Sequence, residues 1–168
     1  MTLAIGRYDS PIGALAVATI GDRVVGIDLG GSPAGLETSL VRKAGYPESG
    51  TPSPAVLARL RRYFDGELDA LDDIAVDPAG TPFQLRVWTA LRDVRAGTTT
   101  SYSALARHIG TPNAVRAVGA ANGANPIPII IPCHRVIGAD GRLVGYGGGL
   151  DRKRWLLAHE GVRSQLLL

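Results

Sequence analysis

SYSALARHIGTPNAVRAVGAAN, residues Ser101–Asn122, reads as two short helices joined by a tight turn. Ser101 or Tyr102 opens a first helix, Tyr102–Ile109, and Gly110 ends it, because glycine takes up left-handed backbone without strain. Thr111-Pro112 caps a second helix running from Asn113 to about Asn122. Two short helices linked by Gly-Thr-Pro make a helix-turn-helix pattern, although many helical hairpins share it. The second helix holds Ala114, Val115, Arg116, Ala117, Val118, Gly119, Ala120 and Ala121. Helices that read base edges display several Asn, Gln, Arg or Lys side chains; this one displays one arginine among small residues. It therefore suits close docking against a nucleic-acid groove without sequence readout. The other reading is a helix packed into a core by its small side chains, with Arg116 merely solvated.

Charge favours the first reading. The net charge is only +3, but residues 1–80 carry 7 Lys/Arg against 11 Asp/Glu (−4), and residues 81–168 carry 11 against 4 (+7). Sixteen of the 18 cations are arginine. A basic C-terminal half points to a polyanion-binding surface. The 168 residues suffice for one ordinary domain or two small ones, and 45% hydrophobic content supplies a core built from Leu, Val, Ile and Ala, since aromatics are only 5%. No apolar run approaches a membrane span of about 20 residues, and Met1–Arg7 lacks the pattern of a signal peptide.

Outward from the helix pair, residues 1–30 read as β, with Gly21-Asp22 a hairpin turn and Ser10–Gly13 another. Residues 30–52 read as loop, with a short helix around Leu36–Lys43. Ser53-Pro54 starts a helix whose apolar positions are Val56, Leu57, Leu60, Tyr63 and Phe64. A short strand follows near Ile74–Val76. Thr81-Pro82 caps a helix carrying Phe83, Val87, Trp88, Leu91 and Val94. Gly138–Gly141 reads as a hairpin turn, and Asp151 as the N-cap of a last helix, Arg152 to Glu160. The expected division is 1–78 and 79–168.

Cys133 is the only cysteine, so no internal disulfide and no multi-cysteine metal site can form. A lone thiol fits a reducing, cytoplasmic setting. It follows Asn125-Pro126-Ile127-Pro128-Ile129-Ile130-Ile131-Pro132, whose prolines exclude a helix and stiffen the approach. His134 and Arg135 come next, and positive charge nearby lowers a thiol pKa from about 8.5. Cys133 is thus a candidate thiolate nucleophile. The plainer reading is a buried cysteine acting as a small hydrophobe.

Taken together, these stretches resemble one family, the O6-alkylguanine-DNA alkyltransferases. The matching residues are Thr81–Gln84 with Val87-Trp88, Ser101-Tyr102 with Leu105-Ala106, Arg116–Ala120, Asn125-Pro126, Pro132–Val136, Tyr146–Gly148, and Leu156-Leu157 with Glu160-Gly161. The match runs through residues 81–161 almost without gaps and is weak before them. It implies an α/β (α+β) fold: a ribonuclease H-like lobe with a small antiparallel sheet, then a mostly helical lobe with a helix-turn-helix. It implies an irreversible single-turnover transfer of an alkyl group from guanine O6, with O4-alkylthymine a further candidate, to Cys133. The implied partner is double-stranded DNA holding O6-alkylguanine. The protein would be a monomer in solution, with cooperative assembly on DNA left open. No cofactor, no metal and no membrane partner are implied; the four-cysteine zinc module of some relatives has no counterpart in this sequence.

The resemblance also assigns roles. His134 resembles the base, acting on Cys133 through a bridging water, and Glu160 the carboxylate that orients it. For Glu160 the plainer reading is a helix-end salt bridge with an arginine. Asn125 resembles the hinge between the DNA-binding helix and the active-site turn. Tyr102 resembles the hydroxyl beside the flipped base. Arg116 resembles the finger that fills the stack after flipping, with Ala114, Ala117 and Gly119 on the same groove-facing helix. The carbonyls of Cys133 and Val136 would accept from the guanine amine, Gly147 N–H would face O6, and Pro128, Tyr146 and Gly148 would complete the pocket. Arg135 resembles buried scaffold. A thiol of pKa about 8.5 is only about 3% ionised at pH 7, and lowering it by three units corresponds to about 4 kcal/mol. One exposed cation cannot supply that, so a partner network is expected.

Two other classes remain on the residues alone. A Cys-His hydrolase would use Cys133, one of His108, His134 and His159, and Asn125, and would turn over repeatedly on an ester. A non-catalytic helix-turn-helix regulator would bind specific bases whether or not Cys133 is present.

Overall fold

The computed structural model describes residues 2–44 and 50–163. Its elements run β1 Leu3–Ser10, β2 Gly13–Ile20, β3 Arg23–Asp28, α1 Pro33–Ala44, α2 Pro54–Phe64, α3 Pro82–Leu91, β4 Thr100–Ser101, α4 Tyr102–His108, α5 Val115–Gly123, a 3-10 turn Cys133–Arg135, β5 Val136–Ile137 and α6 Leu150–His159. They form two compact units, Met1–Ala79 with Pro126–Ile130, and Gly80–Asn125 with Ile131–Leu168. This differs from a single cut at residue 78 by Ala79 and by the segment Pro126–Ile130, which no local signal separates from its neighbours. The expected mixed α/β class, with an antiparallel sheet first and mostly helices after, is what the chain adopts.

In the first unit β1, β2 and β3 form an antiparallel sheet in that order. The central strand is buried from Leu15 to Thr19, so both faces are covered. One face packs Leu3, Ala16, Ala18 and Val25 against Leu36 and Leu40 of α1. Gly26 makes that packing possible, since a Cβ there would lie 2.9 Å from Leu36 Cδ1. On the other face Ser53, the N-cap of α2, donates its N–H to Thr19 Oγ1 at 3.0 Å. Its hydroxyl caps Val56 N–H as the Ser-Pro signature predicts. α1 starts earlier than expected because Ser32-Pro33 repeats that signature: Ser32 Oγ accepts from Gly35 N–H at 3.0 Å. Residues 45–49 of the expected loop lie outside the described residues. The expected strand at Ile74–Val76 is reduced to a bridge between Val24 and Val76, where Pro78 removes the next backbone donor. Pro126 extends this sheet edge, its carbonyl accepting from Ile27 N–H at 2.9 Å.

In the second unit α3, α4 and α5 pack together. Thr81 and Gln84 form a reciprocal capping box at the start of α3. Val87, Trp88 and Leu91 are buried, whereas Phe83 and Val94 are half-buried. Trp88 Nε1 donates to Ala121 O at 2.8 Å, fixing α5 on α3. α4 begins at Tyr102 with Ser101 as its cap. It ends as read, with Gly110 at φ 79° and paired bonds from Gly110 N–H to Arg107 O and from Thr111 N–H to Ala106 O. The second helix starts later than expected, at Val115 rather than Asn113, without a side-chain cap. Thr111–Asn113 form a turn, closed by Ala114 N–H on Thr111 O. β4 and β5 pair in parallel, Thr100 with Val136 and Ser101 with Ile137. The turn at Gly138–Gly141 forms, but this pairing replaces the hairpin expected around it. α6 starts at Leu150 with Gly149 as N-cap; Asp151 lies inside its first turn and pairs with Arg154 at 3.0 Å.

Candidate active site

The segment leading to Cys133 is strained as well as stiff. Ile129 holds φ 75°, a left-handed backbone that costs a β-branched residue about 1–3 kcal/mol. Cys133 then opens the 3-10 turn, its N–H on Ile131 O at 2.8 Å. Asn125 Nδ2 donates to the same Ile131 carbonyl at 2.8 Å and also hydrogen-bonds the sulfur. A residue just past α5 is thereby bonded to the segment that leads into the Cys133 turn.

The turn aims His134 and Arg135 at one carboxylate. Glu160 Oε2 lies 2.9 Å from His134 Nε2. Arg135 forks onto Glu160 with Nε–Oε1 at 2.9 Å and Nη2–Oε2 at 2.8 Å, while its Nη1 donates to Val94 O at 2.6 Å. Glu160 therefore contacts both groups, pairing with Arg135 and lying within hydrogen-bond distance of His134. Burial alone would raise the Glu160 pKa, but the bonds from Arg135 and His134 hold it well below the ordinary carboxylate range. His134 is lowered by burial, against the opposing pull of Glu160, and is neutral at pH 7. An ionised Glu160 accepts only, so Nε2 carries the proton and Nδ1 is the basic nitrogen. Nδ1 has no hydrogen-bond partner.

The sulfur corrects one expectation. Cys133 is 6% exposed, and burial pushes its thiol up from the ordinary value, outweighing Asn125, Lys153 and Tyr146, which favour the thiolate. The sequence implied a depressed value because Arg135 is adjacent; Arg135 is committed to Glu160 instead. The resting side chain is a thiol, and neither ring nitrogen of His134 bonds the sulfur.

Around the sulfur, Tyr102 is half-buried and its hydroxyl donates to Val144 O at 3.2 Å. The Tyr146 hydroxyl is buried with no partner that meets hydrogen-bond geometry; its electrostatic neighbour is Cys133. Gly147 is exposed and Gly148 half-buried. The Cys133 carbonyl takes Asn122 Nδ2 at 3.4 Å and Val136 N–H. The Val136 carbonyl takes Lys153 Nζ at 2.7 Å. Pro128 is buried and belongs with the first unit. On α5, Arg116, Ala117 and Ala120 are exposed, Ala114 and Gly119 half-buried, and a Cβ on Gly119 would lie 3.8 Å from Tyr102 Cδ1. Arg116 and the small residues thus present one open face.

Sequence reasoning missed Asn122 and Lys153. Lys153 had a usable signal: it precedes Leu156, Leu157 and Glu160 by three, four and seven residues, the spacing of one helix face, and that face is buried. Asn122 had none, because its partners, the Cys133 carbonyl and Tyr102, are distant in sequence. Among the described residues no group of three His, Cys, Asp or Glu could hold a metal ion, and no helix is long and apolar enough to cross a membrane.

Residues 82–162 match the family described as 6-O-methylguanine DNA methyltransferase, DNA binding domain, and residues 3–78 its ribonuclease-like domain. The chain is 48% identical over 158 residues to the methylated-DNA–protein-cysteine methyltransferase of Mycobacterium bovis, covering 93% of this chain and 91% of that protein. The crystal structure of Mycobacterium tuberculosis O6-methylguanine methyltransferase superposes with a TM-score of 0.79 at 44% identity, over 95% of this chain and 93% of that one. The structure of Mycobacterium tuberculosis OGT in complex with DNA gives 0.79 at 41% identity, over 99% of each chain.

Proposed function

The chain belongs to the 6-O-methylguanine DNA methyltransferase family, and from that premise we infer that it repairs DNA directly, moving an alkyl group from guanine O6 onto its own Cys133. The observation that carries this reading is the lone buried thiol followed in the chain by a neutral histidine whose Nε2 is held by Glu160 and whose Nδ1 is unengaged.

The steps give each residue the role that its family resemblance implies. Duplex DNA docks on the Arg116–Ala117–Ala120 face of α5, with phosphates met by the basic half of the chain. Arg116 fills the stack when the alkylated base turns out. The Tyr102 hydroxyl exchanges Val144 O for guanine N3, and Gly147 N–H meets O6, where negative charge develops. The Cys133 and Val136 carbonyls accept the guanine amine, while Tyr146 and Gly148 wall the pocket. The Cys133 proton passes through a bridging water to His134 Nδ1, giving an imidazolium that Glu160 stabilises. The thiolate attacks the alkyl carbon, the carbon–O6 bond breaks, and its electron pair stays on guanine. The product is a thioether, a poor leaving group, so each molecule reacts once. A monomer suffices for these steps, and a reducing cytoplasm keeps the thiol available.

Incubation with duplex DNA containing O6-methylguanine, followed by intact mass, tests this. One methyl group should appear per molecule, on Cys133, and the reaction should then stop. Repeated turnover with unmodified protein would instead be the behaviour of a hydrolase.

A further inference from the structure

Asn122 lies in the last turn of α5 and is only 6% exposed. Its Nδ2 donates to the Cys133 carbonyl at 3.4 Å. Its side chain also hydrogen-bonds Tyr102, where it opposes the rise that burial gives the phenol pKa. A carbonyl oxygen accepts only, so Nδ2 must face it and the orientation of the amide is fixed. Oδ1 is left buried without a hydrogen-bond partner in the protein. Buried polar atoms are seldom left unpaired in a folded protein, and this one stands on an amide that already bonds two groups of the active site.

Those two groups are the ones that meet one edge of the flipped guanine in the reading above, Tyr102 at N3 and the Cys133 carbonyl at the exocyclic amine. Acceptor capacity along that edge is limited, because a carbonyl oxygen has two lone pairs. Those of Cys133 are met at rest by Asn122 Nδ2 and Val136 N–H. The Val136 carbonyl already takes Lys153 Nζ. The guanine amine brings two hydrogens. One goes to the backbone carbonyls; the second needs a further acceptor, and Asn122 Oδ1 is the unfilled one.

We infer that Asn122 contacts the substrate: its Oδ1 accepts the second hydrogen of the guanine exocyclic amine, so that the site selects alkylated purines carrying a 2-amino group. This rests on the reading of Cys133 as the alkyl acceptor. O6-methylhypoxanthine is the probe that isolates the contact. It keeps the purine ring, N3 and the O6 methyl group but has no amine, and Oδ1 stays unpaired beside it. A site built to hydrogen-bond a substrate group discriminates against the analogue lacking that group. A change that acts through Tyr102 or through the Cys133 turn, by contrast, falls on both bases alike.

The test measures the single-turnover rate of methyl transfer from O6-methylguanine duplex and from O6-methylhypoxanthine duplex by wild type, N122L and N122A. Wild type should react about 100-fold faster with O6-methylguanine, about tenfold for each amine hydrogen bond. In N122L, which keeps the branch at Cγ without its polar atoms, and in N122A the ratio should fall to about 10, through a loss confined to O6-methylguanine. An undiminished ratio in the variants would overturn the proposal, because equal losses on both bases mean that Asn122 acts only on Tyr102 or on the turn. Equal wild-type rates on the two bases would overturn it without any variant, and that comparison decides alone should circular dichroism show both variants unfolded. Wild-type protein that takes no methyl group from either duplex refutes the alkyl-transfer reading itself, and the contact with it.

Discussion

Glu160 Oε2 stands 2.9 Å from His134 Nε2 with both side chains fully buried. With Glu160 ionised and accepting only, Nε2 carries the proton, and Nδ1 is left as the nitrogen that takes the Cys133 proton in the proposed mechanism. The same oxygen lies 2.8 Å from Arg135 Nη2. Against burial, Arg135 and His134 keep the pKa of Glu160 well below the ordinary carboxylate range, and in the proposed mechanism that carboxylate stabilises the imidazolium formed during transfer.

Glu160→Gln should slow methyl transfer by about 10²–10⁴-fold, the usual scale of a positioned base, while DNA affinity stays. Raising the pH should recover part of the rate, because the thiol then ionises without His134. The substitution also strands Arg135, a buried charge whose lost partner costs about 3–5 kcal/mol, so the melting temperature must be recorded beside the rate. An unchanged pH–rate profile would confine Glu160 to pairing with Arg135.

Stability should report the same carboxylate. Its folded pKa lies below its unfolded one, so its contribution is complete above the unfolded value of about 4.3 and is lost as pH falls below it. Wild type should lose more melting temperature than Glu160→Gln on acidification from about pH 5 to pH 3. Parallel curves would contradict the network.

Cys133 in the free protein should react slowly with iodoacetamide at neutral pH, with a midpoint above the value of about 8.5 for a free cysteine. Burial raises the thiol, so the thiolate is unfavourable in the free protein. A midpoint below 7 would mean a preformed thiolate and a different role for the histidine.

That direction was not legible in the sequence. Charge beside a cysteine can be read from neighbours, but burial and the diversion of Arg135 to Glu160 are tertiary facts. Signals with local causes read correctly: Ser53-Pro54, Thr81-Pro82 and Gly110 sit where their caps and turns require. Ser32-Pro33 carried the same signature and was overlooked among loop-like residues. Cys133, His134, Glu160, Asn125 and Tyr102 could be named as candidates through family motifs, whereas the parallel pairing of Thr100 with Val136 and the burial of Lys153 depend on chain segments far apart.

Arg116→Ala should slow repair in duplex DNA far more than reaction with the free base. Turning a base out costs a few kcal/mol of unstacking, which an inserted arginine offsets and free O6-methylguanine never incurs. Arg116 is exposed on α5, so the fold should not change. Equal losses on both substrates would place Arg116 in the pocket structure rather than in the duplex.

The most direct test of the account is the intact mass of wild type and Cys133→Ser after incubation with excess O6-methylguanine duplex. Wild type should gain one methyl group, mapped to Cys133, and repair one lesion per molecule, while Cys133→Ser binds the same duplex and gains nothing. Lesions repaired in excess of protein, or a methyl group on Cys133→Ser, would contradict it.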